Sequence, residues 1–178
     1  SISVENNVDP DTAGTYTVIY SVSDSSGNAA DQKTRTVIVS DTTKPVITLI
    51  GGDIDHEQGT PYTDLGATAL DNIDGDITSL ISVQNNVDSD TAGTYTVVYS
   101  VSDSSGNAAD QKTRTVVVLD TTRPVITITG GDIDHEQGTP YTDLGATALD
   151  NIDGDITSSI SVENNVDSDT AGTYTVVY

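Results

Sequence analysis

The chain has 178 residues, with no Cys, Met, Trp or Phe, and its only aromatic side chains beyond His are 8 Tyr. That composition excludes disulfides, thiolate metal centres and cysteine nucleophiles, and leaves no material for a large aromatic cofactor pocket. With 28 acidic against 6 basic residues and a net charge of −22, the chain repels polyanions, so nucleic acid and anionic membrane surfaces are poor partners and cations the natural counterpart.

Residues 1–99 return as residues 80–178 with 88 of 99 positions identical, a period of 79. Solenoid repeats run about 20 to 50 residues, so this period corresponds to whole small domains in tandem, each close to the lower size limit for a self-sufficient core. The turn-rich string Asp41-Thr-Thr-Lys-Pro45, returning as Asp120-Thr-Thr-Arg-Pro124, marks the boundary. Residues 1–40 then read as the C-terminal half of one repeat, 41–119 as a complete repeat, and 120–178 as the N-terminal part of a third. No apolar run reaches the 18 residues of a membrane span, so direct membrane insertion is not expected. Without an initiator Met or a signal peptide, the chain reads as an internal piece of something longer.

Within the complete repeat, period-two alternation and β-branched residues predict strands in chain order near 45–50, 54–58, 66–71, 79–85, 94–102 and 110–118. The clearest is Thr94-Tyr95-Thr96-Val97-Val98-Tyr99-Ser100-Val101, which sets Tyr95, Val97, Tyr99 and Val101 on one face. Between the strands lie Gly51-Gly52, Gly59-Thr60-Pro61, Asp74-Gly75-Asp76, and the Asp- and Ser-rich segments 88–93 and 103–107, all turn formers. Six or seven short strands at this spacing predict an all-β fold, an antiparallel β-sandwich.

The string Asp90-Thr-Ala-Gly93-Thr-Tyr95-Thr-Val97 recurs at 11–18 and 169–176. It resembles the start of strand F in immunoglobulin-like (Ig-like) domains, where a Tyr forms the tyrosine corner. The opening DTTKPVITLIGGD, the central YTDLGATALDNIDGDIT and the closing GTYTVVYSVSDSSGNAADQKTRTVVV together resemble the Ig-like domains of bacterial surface proteins, a group akin to hyalin repeats. That resemblance implies tandem Ig-like sandwiches in an extended rod, a non-enzymatic structural or adhesive role, and an extracellular or cell-surface location.

No catalytic constellation assembles from the residues present. His56-Glu57 lacks the second His of a zinc-protease helix and lies in a strand pattern, and paired carboxylates are too abundant to single any out. The acidic residues become informative through strand parity, because alternate connections return to the end at which the chain enters. Asp41, the loop 71–76 and the loop 103–107 then share that end, so Asp41, Asp71, Asp74, Asp76 and Asp103 converge, with Asn72 and Asn107 beside them. Asp120, Asp150, Asp153 and Asp155 repeat part of the arrangement in the next copy. Clustered carboxylates repel unless a cation joins them, and an all-oxygen set in a flexible loop suits Ca2+ better than Zn2+ or Mg2+. The alternative is that Asp and Asn occupy these loops only as turn formers. A second acidic group at the opposite end (Asp53, Asp55, Glu57, Asp88, Asp90) reads as a solvated surface, and His56 and His135 as strand residues.

The expected function is a structural stalk or spacer of a long secreted or cell-surface protein, an adhesin or extracellular fibre, with calcium rigidifying the domain junctions. Two alternatives stand beside it: a subunit of a self-assembling filament joined by strand exchange between identical chains, and an accessory binding module of a secreted enzyme. The expected partners are neighbouring repeats, and nothing in the sequence identifies an adhesion target.

Overall fold

The computed structural model describes residues 1–178. Its strands in chain order are β1 (Ser3–Asn6), β2 (Gly14–Ser21), β3 (Lys33–Val39), β4 (Val46–Leu49), β5 (Ile54–Glu57), β6 (Ala67–Asp71), β7 (Gly75–Asp76), β8 (Ser82–Asn85), β9 (Gly93–Ser100), β10 (Lys112–Leu119), β11 (Val125–Ile128), β12 (Ala146–Asp150), β13 (Gly154–Asp155), β14 (Glu163–Asn164) and β15 (Val176–Val177). Five of the six expected strands lie within two residues of their sequence-read bounds. The sixth, expected over 79–85, starts late because a 3-10 turn over Thr78–Leu80 takes its first residues. Strand β7 is the one strand of this repeat with no sequence signal, being a two-residue return of the Asp-Gly-Asp turn onto Leu70 and Asp71.

Residues 41–119 fold into two sheets, β4-β6-β7 and β5-β10-β9-β8. Alternation explains what each strand buries. In β9, Val97 and Tyr99 are fully buried while Thr94 and Thr96 face solvent. In β10, Val116 and Val118 are buried in the same way. Strand β4 aligns Ile47 with Ala69 of β6, both inward, and leaves the pair Val46 and Leu70 outside. The fold is the all-β Ig-like sandwich that the sequence implies.

One pairing corrects the purely antiparallel expectation. The chain changes sheets around Gly51-Gly52, so β5 lies parallel to β10, with Ile54 opposite Val116 and Glu57 opposite Leu119. This gives the polar segment Asp53-Ile-Asp-His-Glu57 a partner, and Asp53 accepts the N–H of Thr115 at 2.8 Å. His56 sits against the Thr60 carbonyl at 2.9 Å and edge-on to Tyr62. The same residues at 133–136 form no strand.

The tyrosine corner is present three times. Tyr16, Tyr95 and Tyr174 donate to the carbonyls of Thr12, Thr91 and Thr170 at 2.8, 2.9 and 2.9 Å. The hydroxyl thereby pins the loop entering the strand to the strand's own first turn.

A charged side chain lies at the centre of the complete repeat. Arg114 is fully buried. It donates to the Tyr99 hydroxyl at 2.7 Å and to the carbonyls of Ile50, Gly66 and Gly52 at 2.5, 3.1 and 3.1 Å. Those carbonyls bracket the crossing between sheets and the start of β6, where the Gly66 carbonyl also accepts the Ile50 N–H at 3.0 Å. A guanidinium, with five donors in a fixed fork, satisfies several at once.

By contact density the chain divides into two compact units. The first comprises 1–52, 65–85 and 97–114, and the second 53–64, 86–96 and 115–178. The first linker, at Asp41, lies inside the first unit, and the second linker, at Asp120, inside the second.

Candidate metal centre

Three segments of the first unit carry carboxylates to one point. The loop 103–107 closes through the Ser102–Ala108 bridge and an Asp103 N–H bond to the Asn107 carbonyl at 3.1 Å. Its tightness depends on Gly106, at φ +88, a conformation that side-chain-bearing residues rarely adopt. The loop holds Asp103 through two bonds from Asn107, backbone N–H to Oδ1 and Nδ2 to Oδ2, each 2.7 Å. Asn107 Nδ2 also reaches the Asp41 carbonyl at 3.3 Å, tying linker to loop.

Asp71 ends β6, and its Oδ1 accepts the N–H groups of Ile73 and Asp74 at 2.8 and 3.0 Å. Those amide donors, Asp74 first, hold its carboxyl below the usual range, so it is ionised at neutral pH. Asp41 spends its Oδ1 on the N–H of Thr43 at 3.0 Å. The Oδ2 atoms of Asp41 and Asp71 are buried and accept no hydrogen bond. Asp71 and Asp103 are only 9% and 7% exposed, and ligand oxygens of Asp41, Asp71 and Asp103 all lie within 4.8 Å of one another. Two oxygens on one Ca2+, each at about 2.3–2.6 Å, stand at most about 5 Å apart. The spacing therefore fits a single calcium ion, and buried anionic oxygens without donors are costly unless a cation meets them.

The other sequence-expected residues divide. Asp74 turns to Ser104, accepting its N–H at 2.6 Å and its hydroxyl at 2.8 Å. Asp76 accepts the N–H of Thr78 at 2.9 Å, a turn role, with the Thr78 hydroxyl the main cause of its lowered pKa. Asn107 is at the site as a donor that orients Asp103. Asn72 is exposed beside the triad and lines a cleft of about 160 Å3 with Pro10, Asp11, Val39 and Ile73. That volume is below the roughly 300–1,000 Å3 of a pocket for a drug-sized ligand.

At the second linker Asp120 and Asp150 are the counterparts of Asp41 and Asp71. Asp150 accepts the N–H groups of Ile152 and Asp153 at 2.8 and 3.0 Å, and Asp155 that of Thr157 at 2.9 Å. Asp153 here enters only through its amide. Asp120 and Asp150 thus repeat two of the three carboxylates at this linker. Burial, then the nearby charges of Asp150 and Glu57, push Asp120 above the usual carboxylate range.

Within the acidic group expected to be a solvated surface, Glu57 has a definite structural role. Its carboxylate accepts hydrogen bonds from Thr121 and Thr122 in the second linker, and these hold its pKa down to about 2. The unfolded value is near 4.5, so between the two values the unfolded chain binds more protons. The contribution of Glu57 is thus full above about pH 4.5 and is lost as pH falls toward 2. Acid titration followed by circular dichroism should show a weaker loss of stability over that window for Glu57→Gln than for the parent chain.

The structure is an Ig-like sandwich module with carboxylates gathered at its linker end, and comparison with known proteins specifies its family. The profile of the bacterial surface protein Ig-like domain family matches residues 1–39, 47–118 and 126–178, and the chain belongs to that family. Membership implies an extracellular or cell-surface location, and no helix is long and apolar enough to cross a membrane. The chain is 35% identical over 183 residues to the pesticidal crystal protein Cry22Aa of Bacillus thuringiensis, covering 97% of the chain and 24% of that protein. It is 40% identical over 152 residues to hyalin of Strongylocentrotus purpuratus, covering 75% of the chain and 12% of hyalin. The chain thus spans a quarter or less of these relatives. Among solved structures, the lipoprotein BT2262 from Bacteroides thetaiotaomicron aligns at 30% identity over 49% of the chain and 46% of its own, with a TM-score of 0.39. The CBM51-2 and INT domains of Clostridium perfringens ZmpB, in a complex with GlcNAc, align at 30% identity over 53% and 22%, with a TM-score of 0.36.

Proposed function

We propose that the chain is a non-catalytic spacer of a secreted or cell-surface protein, with repeat boundaries at Asp41 and Asp120 and junctions stiffened by calcium. The observation that carries the calcium reading is the pair of buried, donorless oxygens on Asp41 and Asp71 beside Asp103. One ligand comes from the linker and two from loops of the repeat that follows it, so an ion bound there fixes the linker against its repeat. Repetition supports the spacer reading: near-identical copies cannot each recognise a different target, whereas their number sets a length.

Calorimetric titration of the full chain with Ca2+ tests this. One saturable site is expected, with a Kd of about 0.1–1 mM, the range of extracellular calcium modules. Mg2+ should bind more weakly, because its short octahedral bonds and reluctant dehydration suit this site less. No heat of binding up to 10-fold above that range would contradict the proposal.

An accessory module within a larger secreted effector is the second reading, favoured by the match to a quarter of a pesticidal crystal protein. It requires an unrelated effector domain elsewhere in the same gene.

A further inference from the structure

Glu57 ends β5 with both carboxylate oxygens engaged by the second linker. Oε2 accepts the N–H of Thr121 at 3.1 Å and also the Thr121 hydroxyl, and Oε1 accepts the Thr122 hydroxyl at 2.7 Å. A side chain of one repeat therefore holds the first residues of the next. Two residues on, Gly59 meets Ile152 of the following repeat. A Cβ on Gly59 would stand 3.0 Å from Ile152 Cδ1, and Gly59 has φ +76. The positive φ favours glycine there, a Cβ would crowd the Ile152 side chain, and the isoleucine seats against bare backbone.

The hairpin that presents these groups is itself braced. Gly59 donates its N–H to the Ser89 carbonyl at 2.8 Å, Gln58 Nε2 donates to the Asp90 carbonyl at 2.8 Å, and the Thr60 hydroxyl donates to the Glu57 carbonyl at 2.7 Å. On the other side, Ile152 belongs to the turn whose amides bind Asp150. Every partner recurs at the period of 79: Glu57 and Glu136, Gly59 and Gly138, Thr42 and Thr121, Thr43 and Thr122, Ile73 and Ile152. Ile152, with a Gly59 hairpin before it, is half-buried, whereas Ile73 is 66% exposed.

We propose that the hairpin 57–60 of each repeat is a docking socket for the repeat that follows it in the chain, taking the linker threonines on Glu57 and the loop isoleucine on Gly59, and that it fixes the junction without metal. The interface goes beyond the calcium reading and does not depend on it. It holds Asp120 and Asp150 in place whether or not an ion arrives.

Amide hydrogen exchange on the full chain in chelator tests the socket through the Thr121 N–H. Thr121 should exchange at least about tenfold more slowly than an unstructured amide. Glu57→Ala and Ile152→Ala should each return it toward the unstructured rate, while the amides of β9 stay protected and report an intact fold. Protection that survives Glu57→Ala would overturn the proposal, as would a Thr121 amide that is unprotected in chelator. If protection appears only when Ca2+ is added, the socket fails and the ion site stands. If protection is equal with and without Ca2+ and no amide near Asp41 responds to the ion, the socket stands and the ion site fails.

Discussion

Arg114→Ala is expected to cost about 3–5 kcal/mol of stability, which would leave a repeat of this size largely unfolded. The substitution empties a large buried volume and leaves the carbonyls of Ile50, Gly52 and Gly66 and the Tyr99 hydroxyl short of a donor they use. Arg114→Lys should rescue little, because one ammonium cannot span acceptors set apart to fit a guanidinium. Arg35 occupies the same Thr-Arg-Thr context one period earlier, yet it is exposed over the Tyr20 ring. Arg35→Ala should therefore change stability by less than about 0.5 kcal/mol. Urea unfolding of the two variants checks the contrast, and equal effects would show that the buried fork is not what holds this sandwich together.

Asp71→Asn should change the sign of its effect with calcium. The asparagine keeps an Oδ1 for the amides of Ile73 and Asp74 but replaces the donorless oxygen with an amide nitrogen, which cannot ligate Ca2+ and carries no charge. In chelator the variant should be as stable as the parent or more so, since one of three crowded carboxylates is gone. In calcium it should fall below the parent by the whole stabilisation the ion supplies. At a hundredfold excess of ion over Kd that is about 2.7 kcal/mol, or roughly 10–20 °C in Tm for a domain of this size. A variant that is destabilised equally in both conditions would mark Asp71 as a turn residue only.

The strands were readable because β-branched alternation is a local property, and β9 has the same inward face in the sequence as in the structure. Burial was not local. Arg35 and Arg114 share their neighbours, and only the presence of β4 and β6 over the second makes it core. Convergence of Asp41, Asp71 and Asp103 followed from strand parity. Parity could not separate Asp71 from Asp74 and Asp76, because that depends on Asp71 pairing with Gly75 across a two-residue strand too short to leave a pattern. The role of Glu57 was hidden for a related reason. An acidic, alternating segment reads as solvated until its parallel pairing with β10 carries its end to the linker that follows Leu119. The paired recurrence of Glu57 with Thr121 and Thr122 at the repeat period was the available signal.

The most direct test of the account is thermal unfolding of the full chain in excess Ca2+, in excess Mg2+ and in chelator. A midpoint raised by about 10–20 °C in Ca2+ relative to chelator, with Mg2+ close to chelator, is the predicted result. Coincident transitions in all three conditions would contradict it, leaving Asp41, Asp71 and Asp103 as turn residues of a sandwich that needs no ion.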